Sequence, residues 1–179
     1  VVKLNQFISG ACLSQYEIDF TAEKGGILKI GECKYHSQAG VAVDQEVALA
    51  NHARFLDVLQ GKFAKAKTGQ GKKVSSLLVT NTRFSTRAIK YSECSGVELW
   101  GWKYPANNGL EVFVDKNKLY PINILPSFQK QWTGAFNNRN LILAGDILNV
   151  DLQRLGQEEN IGQELLNKAA EEAKILFKE

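Results

Sequence analysis

The sequence contains no methionine and opens on valine, which allows a fragment of a longer protein. Spacings beyond its motif blocks are therefore read to within a residue or two. It has three cysteines, Cys12, Cys33 and Cys94. Their spacing fits no zinc finger and an odd number cannot all pair, so a reducing, cytoplasmic setting is expected. No apolar run approaches the roughly 20 residues of a membrane span, and no signal-peptide pattern opens the chain. A membrane is therefore not expected among its partners. There is no Ser-His-Asp set, no phosphate-cradling glycine loop, no internal repeat and no low-complexity tract. Serine-hydrolase and P-loop chemistry are thereby set aside.

What remains is ordinary in bulk. Apolar residues make up 44% of the 179 positions and charged residues 23%, enough for one domain, or one domain with an appendage, around a real core. The net charge of +3 does not by itself call for nucleic acid. Its distribution is uneven: residues 1–105 carry 14 Lys+Arg against 9 Asp+Glu, and residues 106–179 carry 8 against 10. The positive excess lies in the first part, as a phosphate-binding surface requires; charge scatter is the ordinary alternative.

The informative stretch is YEIDFTAEKGGILKIGECK, residues 16–34. Gly25-Gly26 can supply the two positive-φ residues of a type I′ hairpin turn. In that register Lys24 faces Ile27, Glu23 faces Leu28, Asp19 faces Glu32 and Glu17 faces Lys34. Opposed residues share a face, with Cβ atoms roughly 4.5–5.5 Å apart. Two carboxylates then stand side by side, with a lysine one step along. Such a pair repels, and one pKa rises unless a cation intervenes. A divalent metal with oxygen ligands resolves the conflict. A surface ion-pair ladder is the ordinary alternative.

Ile18-Asp19, the hairpin and Glu32-Cys33-Lys34 together resemble the PD-(D/E)XK nuclease superfamily. The wording YEID…GECKYH, HARFLDVL and LLVTNTRFSTRAIKYSE is similar to its Mrr-like restriction-endonuclease branch, over about residues 16–105. The resemblance implies an α/β fold, a restriction-endonuclease-like mixed sheet flanked by helices, with its N-terminal helix absent here. It implies a metal-dependent endonuclease hydrolysing DNA phosphodiesters. Asp19 and Glu32, with the Cys33 backbone carbonyl, would hold Mg²⁺ or Mn²⁺, and Lys34 would position the attacking water. DNA is the expected partner, and the branch allows a homodimer. Two alternatives stay open: a non-catalytic nucleic-acid-binding or assembly module on the same fold, and a related nuclease acting on RNA.

Other elements follow from pattern. Strands are expected over 1–9, 11–23, 27–35, 74–80 and 97–102. Residues 36–41 read as a loop. Asp44 is an N-cap for a helix over 43–60, with Gln45, Leu49, His52, Leu56, Leu59 and Phe63 as its inward stripe. The lysine-rich run 61–73 reads as a loop, because of its glycines. Ser85 caps a helix that Gly96 ends. After a linker-like step at 106–109, residues 106–179 form a helical extension, with helices near 123–130, 146–155 and 161–177. The last has Asn160 as its cap and Leu165, Leu166, Ala169, Ala173 and Leu176 as its packing stripe. A lid completing the core is the expected role; paired helices bounded by glycine also resemble helix-hairpin-helix units.

Further candidates surround the carboxylates. Glu17 is either another acid near the metal or a partner of Lys34. His36 and Gln45 could line the cleft. His52, on the apolar stripe, reads as core, and Tyr91 and the tryptophans read as packing. Lys65, Lys67, Lys72, Lys73, Arg83 and Arg87 are candidate DNA-backbone contacts, and otherwise ordinary solvated cations. The Cys33 side chain is expected in the core.

Overall fold

The computed structural model describes residues 1–38 and 40–177. Ala39, inside the loop expected over 36–41, and Lys178 and Glu179 lie outside the described residues. The chain forms two compact units, Val1–Glu111 and Val112–Glu179.

The first unit is built on the glycine hairpin. Gly25 and Gly26 have φ of 57° and 77°, the left-handed values that a two-residue turn needs. They join β2 (Tyr16–Lys24) to β3 (Ile27–Lys34) in the expected register, from Lys24↔Ile27 to Phe20↔Gly31. β1 (Val2–Ile8) pairs antiparallel with β2 at the sheet edge. The chain then makes the short β4 (Ala42–Val43), α1 (Gln45–Gln60) and α2 (Lys62–Gly69) before β5 (Lys73–Thr80) returns parallel to β3. β6 (Arg83–Phe84) pairs with β4, α3 (Thr86–Ser95) follows, and β7 (Glu98–Trp100) completes the order β1-β2-β3-β5-β7. The result is the expected α/β mixed sheet, antiparallel at one side and parallel at the other, flanked by helices.

Asp44 caps α1 by accepting from Gln45 N, and Ser85 caps α3 by accepting from Ala88 N. The Ser85 hydroxyl also donates to Asp44 Oδ1, so the two helix starts are tied together. Both helices begin just beyond the C-terminal ends of parallel strands. Gly96, at φ 76°, ends α3 as expected.

Three local expectations fail for physical reasons. Residues 62–69 are helical rather than loop, because Gly61 and Gly69 bound the run instead of interrupting it. The inward stripe of α1 is Ala48, Asn51, Phe55 and Val58, while Leu49 and Leu56 are 44% and 43% exposed. A helix lying close on a sheet needs small residues at the contact, which outranks hydrophobicity alone. Cys33 is exposed rather than core. One hydrophobic cluster joins Ile8, Ile18, Ile30 and Val58; another joins Val43, Ala48, Leu78, Phe84, Ala88, Val97 and Leu99.

Among the described residues, the second unit carries its own core of thirteen buried residues, including Ile122, Trp132, Phe136, Leu155 and Leu166. α4 (Leu110–Asn117) runs into it, followed by α5 (Thr133–Asn138), α6 (Leu152–Glu159) and α7 (Gln163–Phe177). Trp132 stacks on Phe136 with ring centroids 5.9 Å apart. The helix expected near 123–130 is two short 3-10 turns, 122–124 and 130–132. Asn160 is the left-handed C-cap of α6, not the N-cap of the last helix, whose buried stripe is Leu166, Ala169, Ala170 and Ala173. Glu172 accepts from both the amide and the hydroxyl of Ser127, closing this unit across its sequence.

Candidate metal and catalytic site

The hairpin ladder stops where the candidate residues begin. No rung forms beyond Phe20↔Gly31, so the direct oppositions Asp19–Glu32 and Glu17–Lys34 do not occur. The β1–β2 ladder also skips the Asn5↔Asp19 rung, and Asn5 has φ 47°. This irregularity resets which way the side chains face. Strict alternation would put Ile18 and Thr21 on opposite faces of β2. Instead Ile18 packs with Ile30 and Val58, and Thr21 bonds Gln6, the residue paired with Ile18. Asp19 sits at the reset, between two regular stretches.

From there the Asp19 carboxylate takes over a backbone role. Its Oδ2 accepts from the Cys33 amide at 2.6 Å, standing in for the carbonyl that a continued ladder would offer. In a strand the amide and carbonyl of one residue leave on the same side. The Cys33 carbonyl therefore also leaves toward the gap between β2 and β3.

Glu32, on β3, is only 5% exposed. Both of its oxygens are held by cations. Lys34 Nζ lies 2.5 Å from Oε1, and the Arg54 guanidinium of α1 donates to Oε2. The end of β3 is fixed by Thr80 Oγ1 donating to the Lys34 carbonyl at 2.7 Å. Gln15, Tyr16, Glu17, Asp19, Glu32 and Arg54 line a polar cavity of about 350 Å³ in the gap. The structure thus brings Asp19, Glu32 and Glu17 to one pocket, and joins Lys34 to it through Glu32.

Arg54 and Asp57 were not singled out by the sequence. They lie three apart on α1, at the spacing that would have put them together on one face. Asp57 accepts from the Cys12 amide at 2.7 Å and from the Ala11 and Leu13 amides at 3.1 Å. The Cys12 amide first, and then the Leu13 amide, pull its carboxyl down from 3.8 to about 2. These bonds anchor the 11–13 turn, and with it the Gln15–Tyr16 rim of the pocket. The Tyr16 phenol is raised, first by desolvation and then by its hydrogen bond to Asp57. The Cys33 thiol is raised by desolvation and by the charges of Asp19 and Glu32.

The remaining candidates lie elsewhere. The main chain of His36 is clamped by Asn81, whose Oδ1 accepts from His36 N and whose Nδ2 donates to His36 O. Neither His36 nor Gln45 is among the pocket-lining residues. His52 pairs its Nδ1 with the Tyr91 hydroxyl at 2.7 Å. Lys65 lies on α2, which leads from Gly61 toward the turn end of the hairpin; Lys67, Lys72 and Lys73 stand toward that end, where Lys73 pairs with Ile27. Glu32 is five residues farther along β3, roughly 16 Å away. Lys67 and Lys72 are both paired with Glu23. Arg83 and Arg87, by contrast, follow β5 at the same end of the sheet as Lys34, and both are exposed.

Asp19, Glu32 and the Cys33 carbonyl make a set of hard oxygen donors. Among the described residues, no three His, Cys, Asp or Glu side chains are grouped closely enough to hold a metal ion. This donor set suits Mg²⁺, which uses one or two carboxylates and retains several waters. No helix among the described residues is long and apolar enough to cross a membrane.

Comparison with known proteins places the chain among relatives. No family model matches it. An uncharacterized protein of Archaeoglobus fulgidus is 34% identical over 153 residues, 86% of this chain and 80% of that protein. The crystal structure of a protein of unknown function, AF1548, superposes with a TM-score of 0.77 at 30% identity, covering 98% of this chain and 89% of that one. At this identity and coverage, the chain belongs to the family of the Archaeoglobus fulgidus protein.

Proposed function

We propose that this chain is a divalent-metal-dependent endonuclease that hydrolyses DNA phosphodiester bonds. The observation that supports it best is the pocket at the splayed end of β2 and β3, lined by both Asp19 and Glu32, with Lys34 bonded to Glu32. A strand pair opening to present two carboxylates beside a lysine is a costly arrangement for surface decoration. Asp19 and Glu32 would hold Mg²⁺, with the Cys33 carbonyl beside them. The ion, when bound, supplies Lewis-acid polarisation of the phosphate and a more acidic water. Lys34, 40% exposed, is free to turn from Glu32 to orient the attacking water and offset charge on the phosphoryl oxygens. Arg83 and Arg87, at the same end of the sheet, would meet the DNA backbone.

One observation favours a second reading. Both Glu32 oxygens already pair with cations, Lys34 and Arg54, so Glu32 is compensated without a metal. On that reading the unit binds nucleic acid or another protein without turnover. Supercoiled plasmid incubated with Mg²⁺, Mn²⁺ or EDTA separates the two, with Asp19→Asn as control and an RNA substrate alongside. Metal-dependent nicking lost in Asp19→Asn is the expected result. Equal nicking by parent and variant, or none by either, would end the nuclease reading; cleavage of RNA alone would move it to the other polymer.

A further inference from the structure

We infer that Arg54 is a built-in counter-ion that occupies the metal's side of Glu32 until a divalent ion displaces it. The inference rests on the metal-site reading above. A carboxylate as buried as Glu32 requires compensation, and it has two cations, which differ in position. Lys34 reaches Glu32 along its own strand and does not line the pocket. Arg54 reaches across from α1, donates to Oε2 and forms part of the pocket wall. An ion approaching Asp19 and Glu32 through the pocket therefore meets the guanidinium, not the ammonium.

The charge balance points the same way. Glu17, Asp19 and Glu32 stand against Lys34 and Arg54, leaving a formal −1 around the pocket. A divalent ion turns this to +1, which suits a phosphate but repels a guanidinium held at the same carboxylate. The displaced side chain is long and only 29% exposed, so it stays on the wall, where its planar fork can meet a phosphate oxygen. Arg54 is thus a positioning residue. It keeps Glu32 in place without metal and sets how tightly metal binds.

The test is Mn²⁺ binding to the full chain by calorimetry, for parent, Arg54→Gln and Arg54→Lys. A cation in contact with a ligand carboxylate repels an incoming divalent ion, and removing such a contact charge strengthens metal binding by about tenfold or more. Arg54→Gln should therefore bind Mn²⁺ at least about tenfold tighter than the parent, and melt lower in EDTA. Arg54→Lys should stay within about threefold of the parent. A merely structural role would lower the melting point without tightening the metal. In the parent itself, the Arg54 Nε–H resonance, assigned by its loss in Arg54→Lys, should shift on Mg²⁺ titration. Unchanged or weaker Mn²⁺ binding in Arg54→Gln, with binding intact in the parent, overturns this inference alone. So does an unmoved Arg54 resonance while the Asp19 and Glu32 amides shift. Absence of Mn²⁺ binding in parent and variant alike overturns the metal site and this inference together.

Discussion

Replacing Glu32 by glutamine keeps the shape of the side chain and removes the charge between Lys34 and Arg54. Removing one partner of a fully buried ion pair costs about 3–5 kcal/mol, and an exposed pair is worth about 0.2–1 kcal/mol. Glu32 belongs to the first class at 5% exposure, but its partners, 40% and 29% exposed, can turn partly to water. The two contacts together should therefore be worth about 2 kcal/mol. For a unit the size of Val1–Glu111, each kcal/mol moves the midpoint by about 4–8 °C. Thermal unfolding followed by circular dichroism in EDTA should then show a drop of roughly 8–16 °C. With metal present the difference should widen. An ion at a hundred times its Kd adds about 2.7 kcal/mol to the parent, and Glu32→Gln should lose that increment. A parent-like midpoint for Glu32→Gln in EDTA would refute the reasoning, because the two cations would then stand beside Glu32 without stabilising it.

Four other outcomes are expected. Lys34→Ala should slow plasmid nicking about 10²- to 10³-fold while DNA affinity changes only a few-fold; nicking at the parent rate would reduce Lys34 to a salt-bridge partner. Arg83→Ala and Arg87→Ala should each flatten the log–log salt dependence of DNA binding by about 0.9, and Lys67→Ala and Lys72→Ala by less, since Glu23 already holds those two charges. Gly31→Ala would put a Cβ 2.1 Å from the Phe20 ring and should cost about 1–3 kcal/mol in urea unfolding, part of it recovered when Phe20→Ala is added. Asp57, pulled below its ordinary 3.8 to about 2, contributes stability above about pH 4 that is lost as pH falls toward 2; Asp57→Asn should unfold earlier than the parent above pH 4, with the gap closing over that window.

Much of this was legible in the sequence because it is local. Two glycines dictate a turn, a turn fixes a register, and Asp44, Ser85 and Gly96 carry their capping chemistry in their side chains or lack of one. The hairpin therefore delivered Asp19, Glu32 and Lys34 to one end of the sheet by arithmetic. What the arithmetic missed is long-range. The turn register carries the ladder on to Asp19–Glu32 only if the strands stay regular, and nothing in the local pattern announces that Asn5 turns left-handed and resets the faces. Arg54 and Asp57 are not visible as site residues because the leucines of α1 outline a different stripe, and only the closeness of helix to sheet selects Ala48 and Asn51 instead. The lysine-rich run is visible as a candidate phosphate surface by composition, but its distance from the carboxylates is not, because that depends on β5 returning parallel to β3 and starting beside Ile27.

The bond from Asp19 to the Cys33 amide makes that carboxylate a piece of main chain in side-chain form. It finishes the sheet where the ladder gives out, and by the proposed function it also begins the chemistry. The two duties cannot be removed separately by truncation: alanine at this position deletes a rung as well as a charge, so lost activity would be indistinguishable from a loosened hairpin. Asparagine keeps an oxygen for the amide and removes only the charge. An asparagine–alanine pair at position 19 therefore measures the architecture by its difference, and the electrostatics by what the two variants share.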